Sequence, residues 1–135
     1  MYNLLYTSSS TIEANHEVLN QILQTARVNN ELLGVTGMLL YSDGSFVQLL
    51  EGEEEKVKAT FDKISRDPRH YNIEVVIEAN ANSRYFPNWQ MGFKWLEKSE
   101  LLQIENHENV DIKKYFKTSQ PYKLIKLMSM SHWQQ

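Results

Sequence analysis

An α+β sandwich is what this 135-residue chain predicts, on three observations. Short apolar segments alternate with two stretches of helical periodicity in the order β-α-β-β-α-β-β. Ser42, Asp43 and Gly44 separate two apolar runs, and Asp-Gly supplies the backbone freedom that a tight hairpin turn needs. The length suits one domain with a real core and leaves little room for two. The architecture expected is ferredoxin-like: a five-stranded mixed sheet with two helices on one face and C-terminal helices on the other.

Each element has its own signal. Asn3 to Ser8, NLLYTS, is short and apolar and runs into the Ser/Thr-rich TSSST, which reads as a strand ending in a loop. From His16 onward Leu19, Ile22, Leu23 and Ala26 recur at helical spacing, and Gly34 closes the region. LLGVTGMLLY and SFVQLLEG form the hairpin. EGEEEKVKATFDKISRD opens with acids where a helix dipole favours them, then places Val57, Phe61 and Ile64 at helical intervals. DPRH is a turn, IEVVIEA a strand and NSRYFPNW a loop, which leads into WQMGFKWLE, where Trp89, Met91, Phe93 and Trp95 alternate onto one face. Beyond about Glu97 the pattern is helix-like, as LLQIENH, DIKKYFK and YKLIKLM. The division expected is therefore 1–96 as the main domain and 97–135 as a helical extension covering the sheet's open face, which would otherwise stand apolar in water.

Composition excludes more than it names. Apolar residues make up 41%, charged residues 23% and the net charge is −3, the profile of an ordinary globular protein. The absence of cysteine removes disulfides, thiolate catalysis, iron–sulfur clusters and cysteine zinc sites. MYNLLYTSSS has no basic segment ahead of an apolar run and no stretch approaches about 18 apolar residues, so neither secretion nor a membrane span is expected and a cytoplasmic setting fits. Val110 to Gln135 holds five lysines against Asp111 alone, which reads as a solvated helix face. A nucleic-acid partner is not expected there. His16, His70, His107 and His132 are scattered without metal-ligand spacing.

The informative residues are polar ones at apolar positions. Gln48 shares a strand face with Phe46 and Leu50, where an amide left without partners costs about 1 to 3 kcal/mol. Tyr6 shares a face with Leu4, and the stripe of the first helix extends onto Asn29 and Asn30. Each has an ordinary use as well: Gln48 can bond a loop, Tyr6 can serve the core, and asparagines can cap a helix end. Together they outline a pocket lined by amide, amide and phenol where strands one and three meet the first helix. That lining assembles no nucleophile beside a base, no separated carboxylates and no metal, which argues against hydrolysis or group transfer. Amides offering donor and acceptor side by side match the edge of a flat heterocycle, flavin and purine included.

Five segments in order, LLYTS, ARVNNELLGVTGMLLY, GSFVQLLEG, ISRDPRH and RYFPNWQMGF, resemble the BLUF domain, the blue-light sensor that uses flavin. The resemblance runs from Leu4 to Phe93, and it implies the short stand-alone type of that sensor. It implies FAD, with FMN the alternative, lying between the two helices with its polar edge toward the sheet. Asn30 then matches the position that holds the ring's C4 carbonyl and N3 side, with Asn29 and Asp67 as neighbours of the polar edge. Arg27, Arg69 and His70 match positions nearer the ribityl and phosphate part, and Ser8 lies near Tyr6. Gln48 matches the glutamine that bonds both the tyrosine and the flavin. The implied photocycle uses Tyr6, Gln48, Trp89 and Met91. Light draws an electron and a proton from Tyr6, and recombination leaves Gln48 rotated or tautomerised and the absorption shifted modestly to the red. Whether Trp89 or Met91 faces the ring stays open, and Gln90 stands where the family often has serine. The resemblance further implies a sensor rather than an enzyme, signalling through strand five and the C-terminal helices to an effector protein in trans, with homo-oligomerisation. Two other readings share the fold: an acylphosphatase-like hydrolase, for which no phosphate loop is visible, and a binding module without photochemistry.

Overall fold

The computed structural model describes residues 1–11, 15–42, 44–88 and 90–95. Its elements are β1 (Tyr2–Ser10), α1 (His16–Leu33), β2 (Thr36–Ser42), β3 (Ser45–Gly52), α2 (Glu54–Ser65), β4 (His70–Asn80) and β5 (Gly92–Trp95). The sheet order is β4-β1-β3-β2-β5. All neighbours are antiparallel except β2 and β5, which makes the sheet mixed. β1 and β2 run parallel with β3 between them, and β3 and β4 run parallel with β1 between them. These are two interleaved βαβ units, each split by a strand of the other, which is the ferredoxin-like arrangement that the sequence predicts.

Both helices lie on one face, where their apolar stripes continue into the sheet. Leu19 and Leu23 of α1 and Val57 of α2 join Tyr2, Leu4, Tyr6, Leu39, Phe46 and Leu50 in one buried cluster, with Ile22, Phe61 and Ile64 packed against it. α1 starts where the Asn15 side chain accepts the Val18 N–H at 2.9 Å. It ends where Gly34, at φ 67°, turns its own N–H back to the last carbonyls, a left-handed conformation that a side chain would strain. α2 carries Glu54 and Glu55 in its first turn and Lys63 in its last, each at the dipole end that favours its charge. The opposite face of the sheet bears Leu5, Met38, Leu40, Val47 and Leu49, which are buried too. The helical extension expected to cover it, 97–135, lies outside the described residues, as does Asp43 of the hairpin turn.

Three boundaries differ from expectation. β1 continues through Ser9 and Ser10, since that tract pairs with Ser45 on one side and with Tyr71 and His70 on the other, and a ladder on both edges outweighs weak local preference. β4 spans the full length of β1 for the same reason, beyond the expected IEVVIEA. β5 starts only at Gly92, opposite Met38, rather than at Trp89. The carbonyls of Gln90 and Met91 are taken by the side chains of Asn30, at 2.7 Å, and Arg27, at 2.9 Å, so the residues before Gly92 are anchored by α1.

Candidate functional site

Residue parity builds the base of the site. Tyr6 of β1 and Leu39 of β2 both stand opposite Gln48 of β3, so all three present side chains to the helix face. Over them, between α1 and α2, lies a cavity of about 540 Å³, within the range of small-ligand sites. Ile22 and Ala26 of α1, Leu39 and Phe46 of the sheet and Ile64 of α2 supply apolar walls. Asn29, Gln48, Asp67, Arg69 and His70 supply the polar lining, with Tyr6 at the floor.

The Gln48 amide, 4% exposed, is satisfied within the floor itself. Its Oε1 accepts the Tyr6 hydroxyl, and its Nε2 donates to Met91 Sδ at 3.5 Å. Thioether sulfur is a weak acceptor, and a primary amide carries a second N–H that Met91 does not use. Tyr6 is 2% exposed and packs its ring on Phe61 at 5.2 Å between centroids. Burial, reinforced by the nearby Asp67 charge, pushes its hydroxyl far above the usual phenol range. A raised phenol stays protonated as pH rises, so Tyr6 still donates to Gln48 at about pH 10, the ordinary phenol midpoint. We expect the alkaline difference spectrum between wild type and Tyr6→Phe to lack a phenolate band up to that pH; such a band with an ordinary midpoint would contradict it.

The rim is polar and charged. Arg69 donates from Nε to both carboxylate oxygens of Asp67, at 2.9 and 3.0 Å, and this pairing holds the Asp67 carboxyl below the usual carboxylate range. His70 is fixed at both nitrogens: Nε2 lies 2.6 Å from the Ile64 carbonyl, which only accepts, so Nε2 carries a proton. Nδ1 then faces Ser8 Oγ at 2.8 Å, and the Ser8 hydroxyl donates to it when the ring is neutral. Lys63 and Arg66 join Arg69 in lining the cavity. Sequence reasoning missed the first two: Lys63 lies in the last turn of α2 and Arg66 caps it, while Arg69 follows in the turn before β4, so the fold and not a helical period brings the three together.

Of the expected site residues, the structure brings Tyr6, Asn29, Gln48, Asp67, Arg69 and His70 to the cavity wall. Ser8 stands behind His70. Asn30 is 2% exposed with its amide on the Gln90 carbonyl, and Arg27 reaches the Met91 carbonyl, so neither lines the cavity here. Of the two strand-five candidates, Met91 touches Gln48, and Trp89 lies outside the described residues. Among the described residues no group of His, Asp and Glu could hold a metal ion, and no helix is long and apolar enough to cross a membrane.

The cavity fits a flavin on its own terms: apolar walls for a flat ring, a carboxamide at the floor with one N–H left over from Tyr6 and Met91, and cations at the rim suited to phosphate. Comparison with known proteins agrees. A family model described as BLUF, sensors of blue-light using FAD, matches residues 1–92. The photoactivated adenylate cyclase subunit beta of Euglena gracilis is 37% identical over 90 residues, covering 65% of this chain but 10% of that protein. The chain thus spans about a tenth of the length of that relative. The dark-state structure of BlrB, a BLUF protein, superposes with a TM-score of 0.78 at 30% identity, covering 97% of this chain and 96% of that one. Klebsiella pneumoniae BlrP1 with FMN and cyclic diGMP superposes with a TM-score of 0.66 at 26% identity, over 95% of this chain and 33% of that one.

Proposed function

The chain belongs to the BLUF family, the sensors of blue light using FAD, and on that premise we propose that it is a photoreceptor whose switch is the Gln48 amide. The family's cofactor is FAD, a BLUF relative is known with FMN, and the matched region is a sensor domain and not an enzyme. The observation that carries the reading is the buried chain from the Tyr6 hydroxyl through Gln48 to Met91 at the floor of a flavin-sized cavity.

When bound, a flavin supplies blue-light absorption and, once excited, a one-electron oxidant. The protein's residues do the rest. Asn29 and Gln48 present amides to the ring's polar edge, while Lys63, Arg66 and Arg69 suit the phosphates. Tyr6 is the donor at the floor, and its proton already points at Gln48 Oε1, so it moves toward the amide as the electron leaves. Gln48 then has two inequivalent arrangements. With Oε1 on the phenol, Nε2 faces Met91. Reversed, the amide gives the phenol oxygen an Nε2 donor and sets Oε1 where Nε2 stood beside Met91; tautomerised, it offers the phenol oxygen a donor from the same oxygen atom. The amide therefore has two arrangements that each satisfy the phenol, as a bistable element needs.

Met91 and the backbone before β5 feel that change first. From there the signal passes to the C-terminal residues 97–135 and on to an effector protein in trans, with self-association as the second use of that segment. The test is optical. Protein incubated with FAD or FMN should turn yellow, and blue light should shift its absorption reversibly to the red. Protein that stays colourless with both would overturn the reading.

A further inference from the structure

Three residues beyond Gln48 along β3, Glu51 stands in a place unusual for a carboxylate. Residue parity puts it on the sheet face opposite the cavity, and it is 1% exposed. Burial raises its carboxyl above the usual range, and the groups that oppose this, chiefly the amides of Phe86 and Tyr85, do not cancel it. What the carboxylate holds is backbone. Oε1 accepts the Tyr85 N–H at 2.7 Å, and Oε2 accepts the Phe86 N–H at 3.0 Å. Arg84 closes the arrangement, donating from Nη1 to Thr36 Oγ1 at 2.9 Å and to the Glu51 carbonyl at 3.3 Å.

The segment pinned here is the one that delivers Met91. It is held at one end by Glu51, through Tyr85 and Phe86, and at the other by Asn30 on the Gln90 carbonyl and Arg27 on the Met91 carbonyl. Met91 Sδ is too weak an acceptor to place itself under Gln48. Its position follows its packing in the core and these backbone anchors, of which Glu51 on two consecutive amides and Arg27 on the Met91 carbonyl are charge-assisted. We propose that Glu51 is a positioning residue of the photosensor site: acting through the backbone at Tyr85 and Phe86, it presents Met91 to the Gln48 amide and so sets how long the switched amide persists. This rests on the photosensor reading of Gln48.

The neutral variant Glu51→Gln keeps the shape but replaces one acceptor oxygen with an NH2 that meets a backbone N–H. With flavin bound, it should keep the wild-type dark spectrum, lose about half of the light-induced shift and recover in the dark about fivefold faster, the scale of part of one charge-assisted hydrogen bond. Arg84→Gln, at a partly exposed side chain, should move both readouts the same way and stands in if Glu51→Gln does not fold. In a Met91→Leu background, which removes the sulfur at nearly constant volume, neither change should alter recovery further. A purely structural role predicts a lower melting temperature with wild-type shift and recovery, and that result would overturn the proposal. Equal acceleration with and without Met91 would overturn it as well. Wild-type protein that shows no shift at all defeats the photosensor reading instead, which keeps the two failures distinct.

Discussion

Tyr6→Phe is expected to bind flavin as tightly as wild type and to show no light-induced red shift. The substitution removes one oxygen from the cavity floor and keeps the ring against Phe61, so the walls are unchanged. On the proposed mechanism it takes away the hydroxyl that supplies the electron and proton. It also takes away the donor that Gln48 Oε1 accepts from, which leaves a buried carbonyl unsatisfied at a cost of about 1 to 3 kcal/mol. Gln48→Leu should give the same optical silence for a different reason: the donor remains, but no amide is left to hold two arrangements. The pair separates roles that one variant would confuse. Absorption spectra before and after illumination, with flavin content measured on the same samples, decide the matter. A full shift in both variants would defeat the mechanism while leaving the fold and the family untouched.

Gly37→Ala is expected to cost at least about 3 to 5 kcal/mol, the scale of exceptional single substitutions and a large part of the roughly 5 to 15 kcal/mol that holds a domain together. Gly37 lies in β2 opposite Leu50 with φ 153°, a region that side chains rarely adopt. A Cβ there would stand 1.8 Å from the Leu49 carbonyl oxygen, a backbone atom that cannot step aside without parting β2 from β3. Because β3 carries Gln48 and β2 carries Leu39, the loss extends to the cavity floor. Urea unfolding should show a much lower midpoint, or no folded protein, and bound flavin should recover part of the deficit by mass action. A stability within about 1 kcal/mol of wild type would show that β2 and β3 can separate locally, contrary to a rigid floor.

Much of the site is legible along the chain because strands have a period of two. Gln48 between Phe46 and Leu50, and Tyr6 beside Leu4, announce polar groups on an apolar face from residue order alone. The same arithmetic places Met91 with Phe93 and Trp95, and the structure puts Met91 and Phe93 in the buried cluster with Trp95 packed against it. Asn30 is different. Helical spacing brings it to the buried side of α1, but whether its amide meets a ligand or a backbone carbonyl depends on where the segment before β5 passes. Arg27 is redirected for the same reason. Glu51 stands out as an acid in an apolar strand, yet its partners lie 34 and 35 positions away and local pattern says nothing about them.

Periodicity and turn chemistry act over a few residues, so the amino-acid order by itself determined the number and kind of elements among the described residues, the faces that are apolar and the neutral polar groups set among them. Strand order, the late start of β5 and the backbone anchors of Met91 were decided only by the tertiary structure, because each depends on which distant backbone groups are left to be satisfied once the sheet has formed. The phenol and the amide are adjacent because β1 pairs with β3 in a single register that sets Tyr6 opposite Gln48. A slip of one residue would turn the two onto different faces, and burial of the helix-side core is what forbids it.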